Sequence, residues 1–140
     1  MTQSNFHNNS FPLTPPHQLG NNLPILVKMS EAYKLWNGFL IHLQRPTKYT
    51  LGEKIDCLFL DSLELILSAG YTPKEQKYYL LQKLSVKIDA LKFFIKLLWE
   101  TKSLDNKKYA AISAPLAEIG KMIGGWLKIF KKETPCIAGE

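Results

Sequence analysis

Apolar residues recur at alternating intervals of four and three along four stretches of this chain, and that spacing predicts four amphipathic helices. In the first, Ile25, Met29, Ala32, Trp36, Phe39 and Leu43 fall on one stripe, widened on one side by Leu26, Tyr33 and Leu40. Pro24 suits a first helical turn and Asn22 is available as a cap, so this helix is expected to begin at Pro24. It should stop before Pro46, whose ring disfavours helical geometry in Arg45. The second helix is expected from about Leu51 to Ala69, on Leu51, Ile55, Leu58, Ser62, Leu65 and Ala69, with Gly70 ending it. Thr72-Pro73, a cap and first-turn proline, opens the third, whose seam is Leu81, Leu84, Ile88, Leu91, Ile95 and Leu98 and whose end falls near Lys102. The fourth follows Ser103 to Asp105 and reaches about Lys132 through Ile112, Leu116, Ile119, Ile123, Trp126 and Phe130. Pro115 interrupts it and should kink the helix or mark a restart.

No run alternates with period two between turn residues, so no strand is expected. The pattern therefore predicts an all-α fold, an antiparallel up-down four-helix bundle over residues 23–132, with tails at 1–22 and 133–140. Residues 1–22 hold five asparagines, three prolines and no charged side chain, which reads as a disordered tail. A chain of 140 residues fits one domain able to bury a core without disulfides or metals.

The second helix is apolar over more than one seam. Phe59, Leu60, Leu63 and Leu67 continue around it and leave Glu53, Lys54, Cys57, Asp61, Glu64 and Ser68 as a narrow polar strip. A helix of a monomeric bundle needs a narrower apolar stripe, so these four residues are candidates for contact with another subunit. Asp56 lies within the same arc. It requires a partner if buried, and either a lysine from an adjacent subunit or exposure at the helix end would satisfy it.

Charge adds a second theme. The formal net charge is +6, and seventeen of the eighteen cations are lysine, leaving Arg45 as the only guanidinium. The second helical segment, 46–72, carries a balance of −2, whereas 24–45, 73–102 and 103–133 carry +2, +4 and +3. A positive surface favours polyanions, nucleic acid first, and lysine suits phosphate contact better than base readout. The sharpest candidate is the last helix, where Lys121, Gly125, Lys128 and Lys132 share the face opposite the seam, with Lys131 beside them. A missing side chain at Gly125 would let phosphate oxygens approach the backbone. Lys83 and Lys87 on one flank of the third helix, and Lys92 and Lys96 on the other, are further candidates for nucleic-acid contact, although long cations in such positions also cover apolar surface. The same lysines equally fit a solvated bundle exterior.

Chemistry has little to stand on. His7, His17 and His42 belong to no metal or catalytic motif, and Cys57 and Cys136 form no disulfide framework or zinc site. Asp61 and Glu64 face the same way and could hold a metal, but a solvated acidic strip is the simpler reading. No catalytic residue, cofactor or metal is expected. Neither a membrane span nor a signal peptide is apparent, and a cytoplasmic location is the expectation.

The motif Ala117-Glu118-Ile119-Gly120-Lys121-Met122-Ile123-Gly124-Gly125-Trp126-Leu127, in the last of four amphipathic helices, resembles the Avd-like four-helix-bundle family. These are accessory variability determinants of diversity-generating retroelements, related to proteins encoded by intervening sequences in bacterial 23S ribosomal RNA genes. The resemblance spans about Leu23 to Lys132, and its specific part is the last-helix motif. It implies a homopentameric barrel of bundles that binds template RNA or cDNA and the reverse transcriptase, supporting mutagenic reverse transcription without catalysis of its own. The near-absence of arginine departs from a basic nucleic-acid-binding surface built on guanidinium groups, so no arginine contact is carried over. A ribosomal intervening-sequence relative acting only as a protein-interaction scaffold is the alternative.

Overall fold

A computed structural model describes the backbone of residues 16–133 and the side chains of 24–131. The helices are α1 (Pro16–Leu40), a single turn α2 (Arg45–Thr47), α3 (Glu53–Ala69), α4 (Lys74–Glu100) and α5 (Asn106–Glu133), with a π-helical segment, Lys48–Gly52, joining α2 to α3. The four long helices form an all-α bundle, and no strand occurs among the described residues. Each packs on two neighbours, α1 on α3 and α5, and α4 on the same two. Helices α3 and α5 therefore stand diagonally opposite. Cross-helix partners run in opposite senses, Lys28 with Glu118 but Phe39 with Lys108 on α1 and α5, so the neighbours are antiparallel.

The expected seams of α1, α4 and α5 supply most of the core: Ile25, Met29, Ala32 and Trp36, then all six α4 positions, then Ile112, Leu116, Ile119 and Ile123. On α3 the expected positions Ile55, Leu58, Ser62 and Ala69 are buried, and the buried face is widened on one side. Phe59 and Ile66 are buried, whereas Leu51 and Leu65 are only partly so. The π segment, with its widened turn, changes the register of Leu51 relative to α3. Gly52 closes this segment at a place where a side chain would be crowded, its Cβ position lying 3.0 Å from Leu40 Cδ1 and 3.3 Å from the Thr47 carbonyl oxygen. The Thr50 hydroxyl donates to the Pro46 carbonyl at 2.8 Å and ties the turn back on itself.

Helix ends depart from expectation in four places. Helix α1 starts at Pro16, which itself supplies the first-turn proline, and Pro24 lies inside it. The first helix ends at Leu40, short of Leu43, and Arg45, expected to be kept from helical geometry by Pro46, opens α2 with Pro46 in its first turn. Thr72 does not cap α4: its hydroxyl donates back to the Ser68 carbonyl at 2.7 Å, and Pro73 occupies the cap position. Pro115 is contained within a continuous α5, without a restart. The α4 end is closed by Ser103 N–H to the Leu98 carbonyl and Lys102 N–H to the Trp99 carbonyl, a reversal that puts Lys102 at φ 66°. Asp105 then caps α5, accepting the Lys108 N–H at 2.8 Å. Residues 1–15 and 134–140, including Cys136 and most of the two tails, lie outside the described residues.

Candidate nucleic-acid interface

Helix α5 presents its lysines where the heptad seam dictates. With Ile112, Leu116, Ile119 and Ile123 turned into the core, Lys121, Gly125 and Lys128 emerge on the far side, and all three are exposed. Lys131 is exposed beside them. None of these lysines forms an ion pair among the described residues. The Lys132 side chain lies outside the described residues. Nothing stands within 4 Å of where a Cβ on Gly124 or Gly125 would sit, so the space between Lys121 and Lys128 is open.

The four α4 lysines do not share one surface. Lys87 leans toward α3 and pairs with Asp61 at 3.5 Å, and Lys83, one turn away, occupies the same flank. Lys92 leans the other way: its Nζ is 2.9 Å from the Cβ position of Gly120 on α5. Gly120 thus allows a long cation from α4 to cross the α5 surface, and a methyl group there would displace it. Lys92 and Lys96 extend the α5 stripe, whereas Lys83 and Lys87 lie on the side facing α3.

Two further cations reach α5 from neighbouring helices. The Lys77 ammonium lies 5.7 Å from the ring centroid of Phe130, a residue of the α5 seam. The sequence signal was available, since Lys77 continues the α4 seam one step before Leu81. Lys28 on α1 bonds Glu118 at 2.8 Å. This hydrogen bond, then the Lys28 charge, holds the Glu118 carboxyl below its usual range, with Lys121 adding a smaller pull.

The residues expected at a subunit interface separate. Phe59 is fully buried within the protomer, its ring stacked on Trp36 at 6.2 Å and edge-on to Tyr33 at 5.8 Å. Leu63 is half-buried against the core, while Leu60 and Leu67, seven residues apart, point outward at 45% and 48% exposure. Asp56 finds a partner inside the chain. The Trp36 indole donates to its Oδ1 at 3.2 Å, and the Tyr33 hydroxyl bonds to it as well. Burial, this bond and the Asp56 charge all push the Tyr33 phenol above its ordinary value. A further apolar stripe, missed from sequence, runs along the outside of α4: Tyr79, Val86 and Phe93 recur every seven residues and are at least half exposed.

Among the described residues no group of three potential metal ligands is assembled, and Asp61 is engaged with Lys87. No helix among them is long and apolar enough to cross a membrane. Compared with known proteins, residues 26–130 match the family model described as bAvd-like. No curated protein and no solved structure matches the chain.

Proposed function

The chain belongs to the bAvd-like family, and from that premise we propose that it is a non-enzymatic accessory protein of a diversity-generating retroelement, binding template RNA or cDNA through α5 and assisting the reverse transcriptase. The observation that carries this reading is the stripe of exposed Lys121, Lys128 and Lys131, none in an ion pair among the described residues, around the open Gly124-Gly125 surface. Phosphates attract such ammonium groups without base contacts, and the gain comes from released counterions. Lys92 and Lys96 widen the track. Lys132 completes the track; Lys83 and Lys87, on the α3-facing flank, would contribute only at the edge of the subunit contact, Lys87 at the cost of its pairing with Asp61.

Self-association is part of the proposal. Leu60 and Leu67, flanked by Leu63, supply an outward apolar row on α3, and Tyr79, Val86 and Phe93 supply another on the adjacent α4. Together they favour a homo-oligomer through the α3–α4 side, with the pentamer implied by the resemblance as the expected size. That leaves α5, on the opposite side of the bundle from α3, free for a polyanion. Phe59 then acts behind this interface, inside the protomer, while Asp56, one turn before Leu60, lies at its edge. The assembly would work in the cytoplasm, in contact with the retroelement's RNA.

The test is RNA binding titrated against salt, with the mass of the particle followed by light scattering. Lys121→Glu, Lys128→Glu and Lys131→Glu together should abolish binding at moderate salt and leave the mass unchanged. Neutralising the same three with glutamine should lower the slope of log K against log salt by about 2, at ~0.7 per phosphate contact on a single strand. Wild-type protein that binds no RNA even at low salt would overturn the reading and leave the scaffold alternative.

A further inference from the structure

At the end of the bundle where α1 turns into α3 lies a cleft of about 370 Å³ lined by Leu40, Ile41, Lys48, Tyr49, Glu53 and Asp56. Its walls are aliphatic and aromatic, and two of them are uncovered: Ile41 is 61% and Tyr49 63% exposed. Glu53 and Asp56, three residues apart on α3, face the same side of the helix. Asp56 is held by the Trp36 indole and the Tyr33 hydroxyl, two neutral donors. Neither carboxylate has a cation within ion-pair distance among the described residues, Lys48 at the rim included. In a chain of net charge +6 this is an apolar hollow carrying two uncompensated carboxylates against one ammonium.

We propose that this cleft is a docking socket for an arginine side chain presented by a different, basic protein. A guanidinium fork meets two carboxylates, its flat face stacks on the exposed Tyr49 ring, and its stem lies along Leu40 and Ile41. Lysine offers a point charge without the stacking plane. Segments of this sequence outside the described residues, 1–15 and 134–140, contain no lysine or arginine, so neither fills the socket with such a side chain. A second copy offers mainly lysine, its one arginine being Arg45. The assignment rests on the function proposed above: two proteins that share one RNA are both basic, and direct contact between them needs a patch that is not. Lys128 and Lys131 lie at the opposite end of the bundle, so RNA and partner do not compete.

The probe is N-acetyl-arginine methylamide, with the citrulline and lysine analogues as controls, titrated into the full chain and read by the Trp36 indole N–H resonance. That donor sits on Asp56, so occupancy moves it directly, and Trp36→Phe identifies the signal. Saturable movement with arginine, about tenfold weaker with citrulline, is the expected result. Glu53→Gln and Tyr49→Ala should each weaken it severalfold, while RNA affinity stays at the parent value. Equal shifts with citrulline, or shifts unaffected by both substitutions, would overturn the socket. A lysine response as strong as arginine's would overturn it in favour of a second copy's lysine surface. Loss of RNA binding by the α5 lysine variant leaves these outcomes untouched, so the two proposals fail separately.

Discussion

Gly124 and Gly125 sit inside a helix with nothing beside them, and replacing both by alanine should stabilise the protein. Glycine in a helix interior costs about 0.8–1.0 kcal/mol relative to alanine, because its backbone loses more freedom on folding. No heavy atom lies within 4 Å of either new methyl position, so no steric loss offsets the gain. Together the two changes are worth about 1–2 kcal/mol, slightly less than additive if the last turns of α5 fray. At roughly 4 °C per kcal/mol for a domain of this size, Tm should rise by about 4–8 °C. Gly38→Ala provides the reference, since its methyl also meets nothing within 4 Å and lies on another helix. Gly52→Ala provides the opposite sign: the methyl would press on Leu40 Cδ1 and on the Thr47 carbonyl oxygen, and that backbone atom is fixed by the π turn. Thermal and urea unfolding at one protein concentration measure all three variants, so that association contributes equally. If Gly38→Ala stabilises while Gly124→Ala/Gly125→Ala is neutral or harmful, the open face of α5 is occupied in the native assembly. The polyanion surface would then have to lie elsewhere.

Phe59→Ala should cost about 3–5 kcal/mol, the range for deleting a fully buried aromatic ring, here one packed on Trp36 and Tyr33. Urea unfolding reads it, and a loss below about 1 kcal/mol would mean that Phe59 is not a core residue in solution. The Lys28–Glu118 pair predicts a pH dependence with a definite sign. The folded Glu118 pKa is lowered, so its contribution is present above the usual carboxylate range and disappears as pH falls through the folded value. Glu118→Gln should therefore lower Tm slightly at pH 7 and not at pH 2, and an equal effect at both would remove the ion pair as its cause.

The core was legible because burial in a bundle follows helical periodicity, which the sequence carries explicitly. All six α4 seam positions, Leu81 to Leu98, are buried as spaced. Phe59 was not legible: a strict 4, 3 repeat assigned it to an outer arc, but the core-facing arc of α3 is wider than that seam, and Tyr33 and Trp36 on the neighbouring helix enclose the ring. Asp56 shows the same limit. Its partners Trp36 and Tyr33 are twenty and twenty-three residues away on a neighbouring helix, and no local pattern names them. The spacing placed Lys83 and Lys87 on one flank of the α4 seam and Lys92 and Lys96 on the other, but what each flank meets was hidden. Lys87 and Lys92 flank one seam symmetrically in sequence, yet one pairs with Asp61 and the other crosses Gly120.

The sequence by itself determined four amphipathic helices, their inward seams, an acidic second segment among three basic ones, and the glycine-lysine motif of α5. Those are properties of spacing and composition along one chain, set by the 3.6-residue turn. Only the tertiary structure decided that α3 and α5 stand diagonally opposite, so that an outward leucine row and an outward lysine stripe occupy different sides. It also decided that the turn from α1 into α3 encloses a cleft with uncompensated carboxylates. Which helices become neighbours depends on loop geometry and packing between distant segments, and that information resides in no single periodicity.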